Sequence, residues 1–433
     1  MSIVSKKASF PEGWRELTLK ESCELITDGS HFSPSTVESG IPYITVRDLG
    51  ESGIDFVNCK FVTRESFDEL AKNGCKPLKD DVLFSKDGTV GKVALVVDDR
   101  EFVVLSSLAI VRPSKDILSS AFLKLSMQSP SFLETALGLK TGTALRRIVL
   151  RNLKTVSIAI PPLPEQVKIV EILEEQLSRL DAAVRSVRAV REKAARFRRS
   201  ILQAGFNGEL TGHDASTGIT PDGWKTVKIA DVADFIRGVT YQKSDAREEP
   251  EDGFLPLIRE TNIGNESLSY DEFVFVPKKV VKPEQLIRIN DMVIAASSGS
   301  ISIVGKSAPV LVDFEATFGA FCAVLRPQSS ISPNFFRLYV QSPICRETWS
   351  NLARGTNINN LKREQVLTTS IPVPPLDEQE KIAEILDEQI SHLDAAFAVA
   401  DAIEKRASAL RRSLLHAAFT GELTKEWREG VYV

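Results

Sequence analysis

Two long segments of the chain carry apolar residues at helical spacing. Prolines at positions 161, 162 and 164 end a short alternating segment, Thr155 to Ile160, that predicts a strand, and no helix-breaking residue follows until Gly205. A second segment after Pro374 and Pro375 has the same pattern. Apolar positions at alternating steps of four and three residues predict a coiled-coil seam in both segments. The predicted seam comprises Ile169, Leu173, Gln176, Leu180, Ala183, Val187, Val190, Ala194, Phe197 and Ile201 in the first segment, and Ile382, Leu386, Gln389, Leu393, Ala396, Ala400, Ile403, Ala407, Leu410 and Leu414 in the second.

Each predicted stripe is about 50 Å long at a rise of ~1.5 Å per residue, which exceeds the size of a domain of this length. We therefore expect the two helices to pack against each other. The alternative, in which each helix packs only on its own neighbouring domain, stays open at this point.

The chain is one unit written twice, at an offset of about 213 residues. The Gly-Trp element at Gly13-Trp14 returns at Gly223-Trp224, and Gly-Glu-Leu-Thr at 208–211 returns at 421–424. The closest match joins 161–183 to 374–396, where 17 of 23 positions are identical. Residues 15–140 and 225–353 match only at scattered positions. One half of each unit therefore does the same task twice, whereas the other half has diverged.

Chain order indicates how these parts are arranged. The first helix carries the chain from the first domain to the second, and an antiparallel second helix returns it to the first. The sequence thus predicts an α+β fold with two α/β domains, related by an internal two-fold axis and separated by two long helices that form an antiparallel coiled coil. The predicted boundaries are 1–160 for the first domain, 161–212 for the first helix, 213–373 for the second domain, and 374–433 for the second helix and tail.

Composition is typical of a soluble globular protein, with 43% hydrophobic and 26% charged residues. Five dispersed cysteines predict reduced thiols and a cytoplasmic location, and four histidines far from any cysteine argue against structural zinc. We expect neither a membrane span nor a secretory signal. The net charge of −4 does not favour nucleic-acid binding, so any attraction to DNA has to come from local patches or from a partner.

Two similar but different domains on a stiff spacer fit a duplex that carries two half-sites. DNA has its own local two-fold symmetry, so each domain can approach one half-site from an equivalent direction. Because the domains differ in sequence, the target is expected to be bipartite and asymmetric, with an unread gap.

The run Pro161-Pro162-Leu163-Pro164-Glu165-Gln166 and its copy at 374–379 resemble the conserved regions of type I restriction–modification specificity subunits. The Gly-Trp elements, the Gly88–Lys92 run and the Gly-Glu-Leu-Thr ends are also similar to that family, although extra residues precede the Gly-Lys pair of the second copy. The resemblance implies two target-recognition domains, and helices that carry two methyltransferase (M) subunits. Those subunits bind S-adenosylmethionine and methylate adenine N6, and restriction (R) subunits complete the nuclease. No cofactor is then expected in this chain.

The sequence itself shows no catalytic motif for that chemistry. Adenine methylation needs a loop such as Asn-Pro-Pro-aromatic around the flipped base, and both Pro-Pro pairs here are followed by leucine. The segment from Gly299 to Ser307 has five residues between its glycines, one more than a phosphate-binding loop. Asp80-Asp81 is interpreted as a solvated turn and not as a metal site. We therefore predict a non-enzymatic chain with no catalytic or metal-ligating residues.

Candidate DNA contacts are polar residues on turns, because bases are read by Arg, Lys, Asn, Gln, Ser and Thr and phosphates need only donors. Three sets are expected, each alternatively an ordinary solvated loop. The first is the turn before each last strand: Thr143, Arg146, Arg147 and Arg151, and Thr356, Asn357, Asn359, Asn360 and Lys362. The second is Ser85, Lys86, Thr89 and Lys92, matched by Ser297, Ser298, Ser300 and Lys306. The third is Arg47, with Arg259 and Asn262.

Two further interpretations stay open. The run Arg185–Arg199 has seven basic residues against Glu192, and it either faces DNA, docks an acidic partner, pairs with the acidic segment Glu378–Glu388 or merely solvates the helix. The competing function is a structural coiled-coil adaptor that binds proteins through two globular ends, which the pI of about 5.8 favours slightly.

Overall fold

The computed structural model describes residues 10–50, 53–138, 147–217, 220–264, 267–354 and 359–430. The chain divides into two compact units, and each long helix contributes to both. Unit 1 contains the described residues up to Val187 together with those from Asp401 onward, and unit 2 runs from Arg188 to Ala400.

The first half of the chain contains eleven strands and six helices within its described ranges. The strands are β1 (Arg15–Thr18), β2 (Cys23–Asp28), β3 (Ile41–Ile44), β4 (Leu49–Gly50), β5 (Gly53–Ile54), β6 (Lys60–Val62), β7 (Val82–Ser85), β8 (Val93–Leu95), β9 (Val103–Val104), β10 (Leu108–Pro113) and β11 (Ser157–Ile160). The helices are α1 (Leu19–Ser22), α2 (Arg64–Lys72), α3 (Ser120–Met127), α4 (Pro130–Gly138), α5 (Leu150–Leu153) and the 44-residue α6 (Leu163–Phe206).

The second half repeats this order with eleven strands and five helices in its described residues. The strands are β12 (Lys225–Lys228), β13 (Ala233–Arg237), β14 (Phe254–Ile258), β15 (Val274–Pro277), β16 (Met292–Ala295), β17 (Ser297–Ser298), β18 (Ser307–Pro309), β19 (Thr317–Phe318), β20 (Cys322–Pro327), β21 (Asn359–Asn360) and β22 (Ser370–Val373). The helices are α7 (Pro333–Gln341), α8 (Pro343–Leu352), α9 (Arg363–Leu367), the 45-residue α10 (Leu376–Thr420) and α11 (Lys425–Arg428).

Both units have the same sheet topology. Unit 1 has a four-stranded antiparallel sheet of order β2-β10-β7-β8, which unit 2 repeats as β13-β20-β16-β18. A three-stranded mixed sheet, β6-β3-β9 or β15-β14-β19, and an antiparallel pair, β1-β11 or β12-β22, complete the correspondence. The duplication read from the sequence is therefore a duplication of fold.

The central sheet of unit 1 is buried on both faces, as its nearly continuous apolar strands require. Val82 and Phe84 pack with α3, α4 and the long helices, whereas Leu83, between them, packs with Ile44 on the opposite face. Successive side chains of a strand point to opposite faces, so one short strand supplies two cores.

The two long helices run antiparallel within each unit. In unit 1, Asp181 pairs with Arg411, and Glu165 contacts Thr424 beyond the end of α10. In unit 2, Arg198 pairs with Asp394 at 2.7 Å. In both units the partner number falls as the residue number rises, which defines antiparallel packing. The helices also enter the domain cores, through Ile169 and Leu173 in unit 1 and their equivalents in unit 2.

The packed stripe follows the predicted seam over its first four positions in each helix and then departs from it at alternate positions. Ile169, Leu173, Ile201, Ile382 and Leu386 are buried, and Leu180, Val187 and Leu393 are half-buried. Six predicted seam residues are instead exposed, namely Ala183, Val190, Phe197, Ala396, Ile403 and Leu410.

At five of these six sites the next residue is half-buried instead, namely Val184, Arg198, Phe397, Glu404 and Arg411, whereas Arg191 is exposed. Arg198 and Arg411 follow Phe197 and Leu410, and each pairs with a carboxylate. Long arginine stems cover apolar surface while their heads find a partner. A straight helix also drifts by about 20° per heptad from a strict seven-residue repeat.

Domain boundaries at 160/161 and 373/374 stay predictions, although α6 and α10 begin close to them, at Leu163 and Leu376. Among the residues that the structure describes, no helix combines the length and apolar character needed to cross a membrane.

Candidate nucleic-acid interface

Three of the repeated motifs meet at one buried carboxylate in unit 1, Glu165 at the start of α6. Trp14 Nε1 donates to its Oε2 at 3.0 Å, and Thr424 Oγ1 donates to its Oε1 at 2.7 Å. Arg428 of α11 also pairs with Glu165. We call this group the Glu165 junction. It explains why the Gly-Trp, Glu-Gln and Gly-Glu-Leu-Thr motifs recur together: they form one structural element.

Unit 2 has the equivalent Glu378 junction, in which His213 takes the place of Arg428 and Trp224 Nε1 has no hydrogen-bond partner among the described residues. Thr211 Oγ1 donates to Glu378 Oε1 at 2.5 Å, as Thr424 does to Glu165. His213 Nε2 lies 2.9 Å from the same oxygen, and its ring meets the Trp224 ring edge-on. Burial raises the pKa of Glu378, but the hydrogen bonds from Thr211 and His213 outweigh it, so the net pKa lies below the ordinary value.

The glutamine that follows each junction carboxylate fixes the helix to its domain. Gln166 Oε1 accepts from Ser119 N at 2.8 Å, and its Nε2 donates to Pro161 O at 2.8 Å. Gln379 repeats both bonds with Ser332 N and Pro374 O. These amides are fully buried, so the run at 161–166 and its copy at 374–379 form a packing and hydrogen-bonding motif.

Asp81 and its counterpart Asp291 are structural as well. Each is buried and receives two hydrogen bonds from one arginine, Arg112 in unit 1 and Arg326 in unit 2, at 2.7–2.8 Å. The Asp81 bonds raise the pKa of Arg112. The interpretation of Asp81 as part of a solvated turn is therefore wrong, because the carboxylate holds β7 to β10.

The polar turns of unit 1 lie side by side at one edge of its sheets. Ile148 N donates to Lys86 O at 2.8 Å, so the segment with Arg147 and Arg151 adjoins the β7–β8 turn. Lys92 Nζ donates to Val46 O and Leu49 O at 3.1 and 2.7 Å, which attaches the segment carrying Arg47. Sequence reasoning proposed these three segments separately, and the structure brings them together.

Several predicted DNA contacts in these turns instead hold the turns in place. Ser85 is fully buried, and its hydroxyl donates to Thr89 O and accepts from Lys92 N, both at 2.7 Å. Lys86 is buried and pairs with Asp28 at 3.0 Å. Lys92 is half-buried, and its ammonium group donates to two backbone carbonyls. Their polar groups are used within the protein, so these residues are corrected to structural roles.

Exposed members of the predicted set remain available to a ligand. They are Arg47, Thr89, Arg147 and Arg151 in unit 1, and Ser300, Asn360 and Lys362 in unit 2. Thr143, Arg146, Thr356 and Asn357 lie outside the described residues. Contact of the exposed residues with DNA stays a prediction.

In unit 2 the corresponding turns pair directly. β17 pairs with β21, so Ser297 lies opposite Asn360 and Ser298 opposite Asn359. Asn359 Nδ2 donates to Gly299 O at 3.3 Å, and the half-buried Lys306 follows in the same turn as Ser300. Amide and hydroxyl groups therefore occupy the place where unit 1 has arginines.

The third predicted pair is also engaged internally. Asn262 is buried, and its Nδ2 donates to Asp271 O at 2.9 Å while its Oδ1 accepts from Arg259 N at 3.0 Å. The Arg259 guanidinium donates to Glu272 O at 3.0 Å. These contacts fix the turn after β14, and the DNA assignment of Asn262 is corrected accordingly.

Metal and thiol chemistry find little support in the described part of the chain. No group of three or more His, Cys, Asp or Glu side chains is placed to hold a metal ion there. Burial raises the pKa of the Cys23 thiol to about 12, and it raises the pKa of Cys345 as well, which disfavours reactive thiolates.

The fold and the two junctions define a duplicated α+β protein. Its repeated motifs are structural, and its polar turns differ between the two copies. A sequence model described as "Type I restriction modification DNA specificity domain" matches residues 11–184 and again residues 221–396. The chain belongs to this family, and the resemblance inferred from its motifs is confirmed.

Curated relatives carry the same description of a specificity subunit. The type I restriction enzyme EcoKI specificity subunit of Escherichia coli is 43% identical over 213 residues, which cover 49% of this chain and 46% of the relative. The StySPI specificity subunit of Salmonella potsdam is 43% identical over 211 residues, with the same coverages. The match thus spans about half the length of these two relatives. The EcoBI specificity subunit of Escherichia coli is 22% identical over 97% of this chain and 88% of its own.

Solved structures share the fold. A chain from a study of complex assembly and conformational transition of the type I R-M system gives a TM-score of 0.71 at 20% identity, over 96% of this chain and 100% of that one. The HsdS subunit from Thermoanaerobacter tengcongensis gives 0.52 at 19% identity, over 97% and 100%. These matches confirm the predicted fold class of two repeated domains with two long helices.

Proposed function

We propose that this chain is the DNA-recognition subunit of a type I restriction–modification enzyme and that each unit reads one half of an asymmetric, bipartite target. The observation that carries the proposal is the contrast between identical framework and different polar turns within one family member. Arginines in unit 1 and asparagines in unit 2 occupy equivalent turns. Guanidinium groups suit phosphate and guanine, whereas an asparagine amide suits adenine, so the two units are equipped for different sequences.

Catalysis belongs to partner subunits in this proposal. Two methyltransferase subunits bind S-adenosylmethionine and methylate one adenine in each half-site, and restriction subunits join them, all in the cytoplasm. This chain supplies recognition and a scaffold, and it binds no cofactor. The net charge of −4 is consistent with sharing phosphate contacts with partners, since few local cations are left to hold DNA alone.

A domain exchange tests the assignment. Residues 1–157 are replaced by the same region of a relative, and methylated adenines are mapped by sequencing in cells that express the chain with its methyltransferase subunits. The expected result is a change in one half-site, with the other half-site and the gap retained. A change in both half-sites contradicts separate reading by the two units.

Binding by the purified complex separates DNA recognition from a protein-adaptor role. The complex should shift duplex DNA with sequence preference, and the affinity should fall as salt rises. The chain alone, incubated with DNA and labelled S-adenosylmethionine, should incorporate no methyl groups. Turnover by the chain alone contradicts the non-catalytic assignment.

A further inference from the structure

Three of the 22 phenylalanines are exposed: Phe32, Phe197 and Phe321. Phe197 lies on α6, away from the domain turns. Phe32 in unit 1 and Phe321 in unit 2 are 85% and 60% exposed, respectively, and both lie on turns. Singly exposed apolar side chains are ordinary on protein surfaces, so exposure alone carries no argument. Phe32 and Phe321 differ from the others in their attachment to the polar turns, which rests on the hydrogen bonds of their own turns.

The turn that carries Phe32 is held by hydrogen bonds with the buried residue Ser30. The hydroxyl of Ser30, itself buried, accepts a hydrogen bond from Phe32 N at 3.1 Å and donates one to Phe32 O at 2.6 Å. Ser106 N donates to Ser30 O at 2.9 Å, which ties the turn to the segment before β10. With both backbone groups of Phe32 fixed, the ring is presented outward on a rigid turn.

The same segment links Phe32 to the polar turns of unit 1. Lys86 N donates to Ser107 O at 2.9 Å, next to Ser106, and Lys86 O accepts from Ile148 N. Arg147, exposed and adjacent to Ile148, is therefore part of the same continuous hydrogen-bonded edge. An apolar ring and a cation are presented together.

Unit 2 presents its ring at the same edge but from another turn. Phe321 O accepts from Ala296 N at 2.9 Å and from Ser297 N at 3.0 Å, and Ser297 lies opposite Asn360. The bond from Ala296 to Phe321 repeats the bond from Lys86 to Ser107, so Phe321 occupies the position of Ser107. Tyr241, at the position equivalent to Phe32, is half-buried.

We propose that Phe32 and Phe321 are base-stacking wedges, each inserting at one partly unstacked base step of the half-site that its unit reads. This inference rests on the proposed function. A phenyl ring has no donor or acceptor, so it can neither read base edges by hydrogen bonds nor hold a phosphate. Its available contribution is apolar contact with bases, the role that inserted Phe and Leu side chains fill in kinked duplexes. Because the two rings come from different turns, the unstacked steps lie at different places relative to the polar contacts.

The experiment uses the full chain purified with its methyltransferase subunits and duplexes selected by that complex from a randomised pool. 2-Aminopurine is placed at successive positions of the selected site, and its fluorescence reports unstacking. Phe32→Ala should weaken binding about tenfold, the scale of one base–aromatic stack, and should abolish the fluorescence increase in the first half-site only. Phe321→Ala should do the same in the second half-site only.

Matched controls separate wedging from loss of apolar surface. Val97→Ala and Leu311→Ala remove exposed side chains, 69% and 61% exposed, that follow β8 and β18 at the ends away from these turns. Both controls should leave affinity and fluorescence unchanged. Phe32→Leu keeps an apolar wedge and should retain most of the fluorescence increase, which guards against a folding defect in the alanine variant.

Three results overturn the inference. One is unchanged affinity and fluorescence for Phe32→Ala. Another is an equal loss when uracil replaces a thymine for the wild-type complex, which would indicate contact with the thymine methyl group. The third is failure of Phe32→Ala to co-purify with the methyltransferase subunits, which would make the ring a protein contact. If the wild-type complex selects no sequence at all, the proposed function itself fails.

Discussion

The Glu165 and Glu378 junctions are nearly the same in both units, whereas the polar turns at the sheet edges are not. Each junction carboxylate accepts a hydrogen bond from the threonine of a Gly-Glu-Leu-Thr motif. The turns, by contrast, present Arg147 in unit 1 and Asn360 in unit 2. A duplicated protein has kept the residues that attach helix to domain and changed those that face outward. The part that differs between the units is the part that we propose to contact DNA.

A substitution that breaks a long helix has the largest expected effect. It disrupts the helical framework that both units share and leaves the polar turns intact. Leu180→Pro removes a hydrogen bond within α6 and introduces a steric clash, at a cost of about 3 kcal/mol or more. Methylation at the native gap should be lost, as mapped by sequencing in cells. Leu180→Ala, which keeps the helix, should retain that gap. Full methylation at the native spacing by the proline variant would contradict a spacer role for the helices.

The second largest expected effect is on stability, where substitutions at the Glu165 and Glu378 junctions should differ in the free energy of unfolding that they cost. Glu165→Ala leaves Arg428 without its carboxylate and should reduce the free energy of unfolding by about 3 kcal/mol, as for a broken buried ion pair. Glu378→Ala removes an acceptor from Thr211 and His213 and should cost less, about 1–2 kcal/mol.

Urea unfolding of both variants checks this order. Glu12→Ala, at an exposed carboxylate next to the Gly-Trp element of unit 1, is the control and should change stability by less than about 0.5 kcal/mol. Equal losses for Glu165→Ala and Glu378→Ala would show that Arg428 adds nothing to the first junction.

Substitutions in the polar turns of the two units should have different effects on DNA binding, because phosphate contacts and base contacts respond differently to salt and to sequence. Arg147→Ala should weaken DNA binding by the complex for all sequences and reduce the slope of log affinity against log salt by about one. Asn360→Ala should cost about 1–3 kcal/mol only on sites with the native second half-site. Titrations at several salt concentrations measure both.

Arg15→Ala, at an exposed cation on β1, is the matched control for charge and should leave the salt slope unchanged. If Arg147→Ala instead changed the preferred first half-site and kept the slope, Arg147 would be a base reader and not a phosphate contact.

A pH effect at Glu378 is the smallest expected difference. Its pKa in the folded chain lies below the ordinary value of a glutamate, so the ionised carboxylate stabilises the fold above that ordinary value. The stabilisation is lost as pH falls through the lowered pKa. Unfolding between pH 3 and pH 7 should show a larger loss of stability in wild type than in Glu378→Gln, because other carboxylates with lowered pKa, such as Glu21 and Glu101, titrate in both. Parallel pH curves would contradict it.

The framework could be predicted from the sequence because it depends on strong local signals. Prolines before Leu163 and Leu376 fix where the helices begin, and the repeat gives the number of domains. The seam was displaced at alternate positions because apolar periodicity does not reveal that Arg198 finds Asp394 across the interface. An ion pair between residues distant in sequence leaves no periodic trace.

The turns could be located but not interpreted residue by residue. Ser85, Lys86 and Asn262 have the composition of ligand contacts, yet their partners are Lys92 N, Asp28 and Asp271 O, which are distant in sequence or on the backbone. Polar composition alone does not distinguish a side chain that hydrogen-bonds within a turn from one that points into solvent. Phe32 was missed for the converse reason, since an aromatic in a loop is most often buried.

The junctions also make the two halves of the chain depend on each other. Glu165 comes from the first half of the sequence and Thr424 from the second, while Glu378 comes from the second and Thr211 from the first. A fragment that ends before α10 would keep the Glu165 carboxylate but lose its threonine and arginine. Such a half carries Thr211 and His213, so a second copy of it offers the Glu165 carboxylate a threonine donor but no counterpart of Arg428.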